Sequence, residues 1–493
     1  MRIHDTLSRK TVELEPRERG RVSLYVCGVT PYAPAHVGHA RTAVVYDVLK
    51  RHLVHAGYEV RHVSNYTDID DKIIRRAREN NEPPLELSAR FIREYQEDMI
   101  RLNIVPPDVE PRVSESIGDI IDLISLIVAN GYAYVTGDGV YFAVRKFEHY
   151  GRLSGRSVDE MRSGARVEVN ESKDDPLDFA LWKFARPGEI SWVSPWGEGR
   201  PGWHIECSAM SLRYLGAGFD IHGGGEDLIF PHHENEIAQS EAALGPGHFA
   251  KYWLHSGLVT MSGEKMSKSL GNITGVRELL AMYPGQVLRL FLLQTSYEKP
   301  LKFSLAGVEQ AFGSYERIVE FAEFLRSSLP NSAGESKAEV RDLAAKLQSE
   351  FDASLDDNLN TSRAFASLFE FMTGVRKAAT EGVLCRSDLE ELERSLAGVL
   401  NVLGLDQTAE YAEHKRVGLA RKAGALLELS DYLGIAPDAG VNVASVLQGI
   451  IDRRQLARTA GDYALADQIR ERLRAVDIAL EDGADKVRYR ING

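Results

Sequence analysis

A strand–helix–strand pattern near the start of the chain most constrains the fold. Residues 21–29 (RVSLYVCGV) and 59–65 (EVRHVSN) are apolar and rich in β-branched residues, which predicts two strands. Residues 39–58 (HARTAVVYDVLKRHLVHAGY) lie between them and repeat apolar residues every four positions, which is typical of one helix face. Such a βαβ unit predicts a parallel sheet with a ligand site at the carboxyl ends of its strands.

The length of 493 residues exceeds what one ordinary hydrophobic core supports, so the chain is predicted to be modular. We expect an α/β, Rossmann-type parallel-sheet catalytic domain at 1–310, with an inserted connective region at about 115–200 where short strands and glycine turns dominate. A helical bundle at 311–410 and a small α+β region at 411–493 follow.

One helix of the predicted bundle has a marked apolar stripe before Gly404. Its members are Leu389, Leu392, Leu396, Val399 and Leu403. Ser387 and Glu390 have the spacing of a capping box, which predicts the start of this helix. Two further helices around Gly461 and a hairpin turning near Asp482 and Gly483 are predicted at the C-terminal end.

The composition favours a cytoplasmic protein without disulfides. The start MRIHDTLSRKTVEL has no apolar signal core, no run of about 18 apolar residues exists, and the three cysteines are far apart. The net charge of −13 gives no sign of a nucleic-acid partner, but from residue 445 onward nine basic residues face eight acidic ones. The acidic excess is therefore lost at the C-terminal end.

Four residues form a possible zinc-ligand set, namely Cys27, Cys207, His232 and Glu236. Residues 230–242 (FPHHENEIAQSEA) predict a helix that opens at Pro231 and places His232 and Glu236 on one face. Two thiolates with an imidazole and a carboxylate favour zinc over magnesium or calcium. The alternative is that Cys27 and Cys207 are simply buried small residues.

Two further motifs suit phosphate binding. His36, Gly38 and His39 lie where the first strand gives way to a helix, whose amides favour an anion. Lys265 and Lys268 lie in GEKMSKSLGN (263–272), a pattern typical of a loop that closes cations over phosphates. Surface histidines and a charged surface loop are the alternatives.

Taken in this order, HVGH and KMSKS resemble the two signatures of class I aminoacyl-tRNA synthetases. The intervening TDIDDKIIRRA, GARVEVNESKDDPLDFALWK, SPWGEGRPGWHIECSAM and GGGEDLIFPHHENEIAQSEA are similar to cysteinyl-tRNA synthetases in particular. The resemblance extends from residue 2 to the closing RERLRAVDIALEDGADKVRYR. In contrast to the family's usual TVYD and HIGH, this chain has TPYA and HVGH.

The resemblance implies a zinc ion at Cys27, Cys207, His232 and Glu236. It implies catalytic and ATP-binding roles for His36, His39, Lys265 and Lys268, with Gly38 also at the ATP site. Thr67, Trp203 and Asp227 match positions that line the cysteine or adenylate pocket. The reaction it implies is adenylation of L-cysteine by ATP with Mg²⁺, followed by transfer to tRNA(Cys) in contact with the C-terminal anticodon-binding region. We expect a monomer with no membrane partner.

Two other functions stay open at this point. A cysteine ligase of mycothiol synthesis resembles the same core and zinc set, but that family is shorter and lacks the anticodon-binding end. A noncatalytic tRNA-binding paralogue would be expected to lose signature residues that are present here. Cys385 receives no role from the sequence.

Overall fold

The computed structural model describes residues 1–157, 172–261, 275–328, 338–382, 384–406, 409–435, 443–482 and 487–491. The chain divides into two compact units. The first comprises Met1–Leu280 with Gly285–Asp406, and the second Ala281–Pro284 with Gln407–Gly493. None of the helices among the described residues has the length and apolar character needed to cross a bilayer.

The strands of the first unit are β1 (Arg2–Asp5), β2 (Lys10–Glu13), β3 (Arg21–Val29), β4 (Glu59–Tyr66), β5 (Ala133–Val135), β6 (Gly139–Phe142), β7 (Phe179–Phe184), β8 (Gly199–Pro201), β9 (Ile221–Gly225), β10 (Tyr252–Ser256), β11 (Val259–Met261) and β12 (Leu301–Phe303).

Its helices are α1 (Val37–His55), α2 (Asp71–Asn80), α3 (Pro84–Arg101), α4 (Ile117–Ala129), α5 (Trp203–Leu215), α6 (Glu234–Leu244), α7 (Val276–Met282, whose last two residues fall in the second unit), α8 (Gly285–Leu293), α9 (Leu305–Ser328), α10 (Ala338–Asp356), α11 (Thr361–Thr380) and α12 (Arg386–Leu403).

A four-stranded parallel sheet in the order β10–β9–β3–β4 forms the centre of this unit. Its middle strand β3 pairs with β4 on one side, Val26 opposite Ser64, and with β9 on the other, Val26 opposite Gly223. The predicted βαβ unit is confirmed because α1 connects the parallel strands β3 and β4. The carboxyl ends of β3, β9 and β10 therefore meet at one edge of the sheet.

Between β4 and β9 the chain adds a second sheet, the antiparallel meander β5–β6–β7–β8. Its buried residues, such as Phe142 and Trp182, share one hydrophobic cluster with Tyr25 of β3 and Met210 of α5. The short strands and glycine turns in this part of the sequence thus belong to a sheet that shares a hydrophobic core with the parallel sheet.

The helices after β12 bury their apolar stripes, as the sequence predicts. Every member of the stripe on α12 is buried: Leu389, Leu392, Leu396, Val399 and Leu403. The predicted capping box at Ser387 and Glu390 is wrong. The helix begins at Arg386, and Cys385 with Asp388 forms the box, because the Asp388 carboxylate accepts a 3.1 Å bond from the Cys385 amide. Glu390 instead pairs with Arg386.

The second unit contains helices and one hairpin. Its elements are α13 (Ala409–Arg421), α14 (Ala423–Tyr432), α15 (Val443–Thr459), α16 (Tyr463–Ala475), β13 (Ile478–Asp482) and β14 (Val487–Ile491). The two helices predicted around Gly461 are confirmed as α15 and α16, and the hairpin as antiparallel β13–β14. The predicted turn residue Gly483 lies outside the described residues. Leu447, Ile450 and Ile469 belong to a core within this unit.

Candidate metal centre and nucleotide site

The structure brings together the four residues that the sequence proposes as zinc ligands. Cys27 lies near the end of β3, Cys207 in α5, His232 in an irregular turn (Ile229–His233), and Glu236 in α6. All four are buried, and one donor atom from each lies within 4.8 Å of the donor atoms of the other three. Elements separated by the inserted sheet thus converge on one point.

The helix that carries Glu236 starts later than predicted. It begins at Glu234 rather than Pro231, because Phe230 has an extended backbone (φ −140°, ψ 131°) and residues 229–233 form a wider turn. The spacing of four still brings the two side chains into contact. His232 Nε2 lies 3.1 Å from Glu236 Oε1.

The electrostatics of this cluster suit a divalent cation. Burial raises the pKa of the Cys27 thiol and of the Glu236 carboxyl well above their ordinary values, because the charged forms lose their hydration. Burial likewise keeps His232 neutral, with its pKa far below the ordinary value. Glu236 Oε2 has no hydrogen-bond partner among the described residues. A cation would stabilise the thiolate and carboxylate forms, so the residues present fit a zinc ion.

A second set of donors shares Cys27 and Glu236 but adds His222 and His233, which sequence reasoning missed. Cys27 Sγ lies 3.4 Å from His222 Nε2 and 3.3 Å from His233 Nε2. His233 Nδ1 in turn lies 2.8 Å from Nε2 of His255 in β10. The available signal was a histidine in DIHGGG and in YWLHS, which form neighbouring strands, and a second histidine in FPHHE, which follows the first of them.

The HVGH segment forms the N-terminal end of α1. His36 is the N-cap, and its Nδ1 accepts a 3.1 Å hydrogen bond from the Gly38 amide, while His39 Nδ1 accepts one of 3.3 Å from the His36 amide. The two rings stack with their centroids 3.7 Å apart. A Cβ on Gly38 would lie only 3.0 Å from the His36 ring, so glycine permits this close arrangement.

Both histidines are neutral near pH 7. Burial lowers the pKa of His36, partly offset by the charge of Asp227, and burial together with His36 lowers the pKa of His39 to about 3. Because each Nδ1 accepts a hydrogen bond, the ring proton of each neutral imidazole resides on Nε2. Two Nε2–H donors are thus available at a helix N-terminus, an arrangement that suits phosphate oxygens.

Lys265 and Lys268 lie outside the described residues. The residues that flank their segment are held against the HVGH segment and the sheet. Beyond it, the Val276 amide donates a 2.9 Å bond to the Ala35 carbonyl, and Gly275 forms a β-bridge with His36. Before it, β11 ends at Met261 and pairs with β12.

Each of the three predicted pocket residues interacts with a residue of, or next to, the two candidate sites. Trp203 is 39% exposed, and its ring lies 4.4 Å from that of His232. Asp227 follows β9 and contributes the charge that acts on His36. Thr67 is buried, and its hydroxyl donates a 2.9 Å bond to Glu206. Glu206 was missed by the sequence reasoning, although it directly precedes Cys207.

The comparisons with known proteins agree with this arrangement. Residues 13–313 match the family model of the class I (C) tRNA synthetase catalytic domain, and residues 350–408 match the DALR domain. The chain is 46% identical to the cysteine--tRNA ligase of Pelotomaculum thermopropionicum, with 100% of both chains covered. It is 44% identical to that of Geobacter sulfurreducens, covering 100% of this chain and 99% of the relative.

Solved structures share the fold at low sequence identity. Methionyl-tRNA synthetase of Mycobacterium tuberculosis in complex with methionyl-adenylate superposes with a TM-score of 0.58 at 16% identity, covering 86% of this chain and 96% of that one. The LeuRS of Agrobacterium radiobacter K84, from a ternary complex with tRNA, gives a TM-score of 0.59 at 12% identity, covering 81% and 86%. Together with the full-length relatives, these findings establish that the chain belongs to the cysteine--tRNA ligase family of class I aminoacyl-tRNA synthetases.

Proposed function

We propose that this ligase selects L-cysteine through a Zn²⁺ ion held by Cys27, Cys207, His232 and Glu236, activates it with ATP and Mg²⁺, and charges tRNA(Cys). One observation carries the zinc assignment: these four buried donors lie within 4.8 Å of one another. The set with two cysteines is preferred over the set with His222 and His233, because soft sulfur ligands favour zinc.

When bound, the zinc ion supplies a soft Lewis acid that accepts a thiolate, which serine and aliphatic amino acids cannot provide. The protein residues supply the rest of the selection. The Trp203 ring lies 4.4 Å from that of His232, and we assign it to limiting the size of the bound side chain. Thr67, whose hydroxyl donates to Glu206, belongs to the proposed cysteine pocket. Recognition of a group that competitors lack removes the need for an editing site.

The ATP step depends on position and charge. His36 and His39 donate hydrogen bonds from Nε2 to phosphate oxygens, and Gly38 lets the backbone approach them. Lys265 and Lys268 neutralise the charge that develops on the phosphates as pyrophosphate leaves, and Asp227 lines the adenylate site. Oriented donors and cations of this kind accelerate an attack by the amino-acid carboxylate without a protein nucleophile.

The remaining assignments extend this function to the rest of the chain. We place the catalytic domain at 1–310 with its connective region at about 115–200, the bundle at 311–410 and the anticodon-binding region at 411–493. The C-terminal region contacts the tRNA backbone through its arginines. The enzyme works as a monomer in the cytoplasm.

The test is ATP–pyrophosphate exchange with a panel of amino acids, combined with elemental analysis. The wild-type chain is expected to retain about one zinc ion and to exchange with cysteine alone. Cys207→Ser should lose zinc and cysteine selectivity together. The matched control is Cys385→Ser, because Cys385 is equally buried but lies at the start of α12, where Asp388 binds its amide. Zinc-free wild-type protein with full activity would refute the metal assignment.

The molecule that accepts the cysteinyl group distinguishes the proposed function from that of the alternative ligase. If the enzyme transferred cysteine to an amino sugar and never to tRNA(Cys), the tRNA assignment would be wrong. A chain that binds tRNA(Cys) but shows no exchange with any amino acid would be the noncatalytic paralogue. The full-length cysteine--tRNA ligase relatives favour neither outcome.

A further inference from the structure

Arg41 is a buried cation on the first turns of α1. It lies two residues beyond His39, and only 1% of it is exposed. Its guanidinium makes hydrogen bonds of 2.8–3.3 Å to five backbone carbonyls, those of Gly257, Leu292, Ser296, Tyr297 and Lys299. Burial lowers its pKa to about 10, and among the described residues no carboxylate forms an ion pair with it. Among the groups that the structure describes, five carbonyl dipoles therefore balance the positive charge.

These carbonyls belong to three separate parts of the chain. Gly257 connects β10 to β11, Leu292 lies at the C-terminal end of α8 where the helix dipole favours a cation, and residues 296–299 lead into β12. The parts approach closely: the Gly257 amide donates a 2.7 Å bond to the Tyr297 carbonyl. A Cβ on Gly257 would lie 2.5 Å from the Lys299 carbonyl. Arg41 occupies the point where they converge.

The same turns of α1 carry the histidines of the proposed ATP site. Thr42 adds a second tie, because its hydroxyl lies 3.0 Å from that of Ser256 at the end of β10. The strands β11 and β12 pair in parallel. In the sequence, the segment that carries the proposed phosphate-binding lysines lies between these two strands. The Arg41 side chain thus connects the helix that bears His36 and His39 with the residues that directly precede β11 and β12.

We infer that Arg41 is a positioning residue for adenylation: its bonds to the Gly257, Leu292 and Lys299 carbonyls fix the N-terminal end of α1 relative to β11 and β12. The inference rests on the proposed ATP site. Arginine suits this role because five N–H groups in a rigid plane reach carbonyls on several sides, whereas a lysine ammonium has three donors at one point. A misplacement of about 1 Å in such a site can cost roughly a hundredfold in rate.

The experiment compares Arg41→Lys with Arg51→Lys in the full-length protein. Arg51 is a matched control because it lies on the same helix and also donates to backbone carbonyls, those of Asn103 and Asn401, but at the far end. We measure kcat of cysteine-dependent pyrophosphate exchange, KM for ATP and for cysteine, zinc content and the folded fraction. Arg41→Lys is expected to lower kcat by about ten- to a hundredfold and to leave KM for cysteine within about twofold. Arg51→Lys should keep kcat within about twofold.

Two results would overturn the inference. Either kcat per folded molecule stays unchanged in Arg41→Lys, or KM for cysteine and zinc content deteriorate as much as kcat does, which a general structural role would produce. If Arg41→Lys does not fold, the test uses Thr42→Val instead. This variant is expected to lower kcat by less than Arg41→Lys would, again with KM for cysteine nearly unchanged. An unchanged kcat in Thr42→Val would then refute the inference. Absence of cysteine-dependent exchange in the wild-type enzyme would instead refute the proposed function, before any variant is made.

Discussion

Asp47 of α1 and Arg289 of α8 form an ion pair in which the side chains are 1% and 0% exposed. Arg289 also donates to the carbonyl of Leu102, after α3, and to that of Leu403 at the end of α12. Asp47 accepts from Arg51 and from the Val105 amide. This buried pair therefore connects the first helix of the nucleotide-binding fold to the helices that follow the sheet.

Replacing Asp47 by asparagine is expected to destabilise the first unit by about 3–5 kcal/mol, because it leaves the Arg289 charge buried without its carboxylate. The measurement is the free energy of unfolding in urea. The double variant Asp47→Leu with Arg289→Met should lie closer to the wild type, since it removes both charges. A loss below about 1 kcal/mol in the single variant, within the range of exposed pairs, would contradict this view of the pair.

Stability should fall on acidification in part through His62 of β4. Burial lowers its pKa to about 3, helped by the charge of Lys50 and opposed by Asp108 and Asp47, and neither ring nitrogen has a hydrogen-bond partner among the described residues. The folded state keeps this ring neutral, while the unfolded chain takes up a proton below about pH 6.5. The contribution of His62 is thus complete above pH 6.5 and is lost as the pH falls toward 3.

The free energy of unfolding of the wild type falls between pH 7.5 and pH 5.5. In His62→Phe this fall is expected to be smaller by about 1.4 kcal/mol. Urea unfolding at the two pH values measures this difference. If the free energy of unfolding fell equally in the two proteins, the pKa of His62 would not be lowered in the folded state, and the prediction would be wrong.

Lys268→Ala should slow adenylation strongly while cysteine binding stays nearly intact, because the lysine is assigned to charge that develops in the transition state. Pre-steady-state adenylate formation and equilibrium binding of cysteine give the two quantities separately. Loss of cysteine affinity with an unchanged activation rate would assign the lysine to the wrong step.

Ending the chain after Asp406 removes the C-terminal part of the second unit and keeps every proposed metal, ATP and cysteine residue. We expect cysteine activation to persist and charging of tRNA(Cys) to fall severely, because the removed part carries Arg453, Arg470 and Arg472. Pyrophosphate exchange and tRNA charging are compared on truncated protein shown by circular dichroism to be folded. Equal charging by both forms would refute the anticodon-binding assignment.

The sequence predicts the local elements well because hydrophobic periodicity is a local property. The strands β3 and β4, the helix between them and the buried stripe of α12 follow directly from spacing. Two element starts were wrong. Cys385 rather than Ser387 caps α12, and α6 starts at Glu234, since short polar residues and Pro231 allow several starts and packing chooses among them.

The candidate site was harder to predict than the fold. Ligand chemistry and spacing proposed the four zinc ligands, and the resemblance selected the same set, but nothing local indicated that His222, His233 and His255 adjoin them. His222 and His255 lie on β9 and β10, which are parallel neighbours in the sheet, and His233 lies in the turn after β9. Strand order and register depend on pairings between distant segments, which periodicity does not encode.

The strand order has a consequence for the nascent chain. The central strand β3 pairs with β4 as soon as both have left the ribosome, but its other neighbour, β9, follows only after the entire inserted sheet. At a synthesis rate of about 5–20 residues per second, that edge of β3 waits on the order of 10–40 s for its partner. During this time Cys27 also lacks Cys207 and Glu236, so an apolar strand edge and a thiol are exposed together. The growing polypeptide should therefore depend on chaperone protection until residue 236 has emerged.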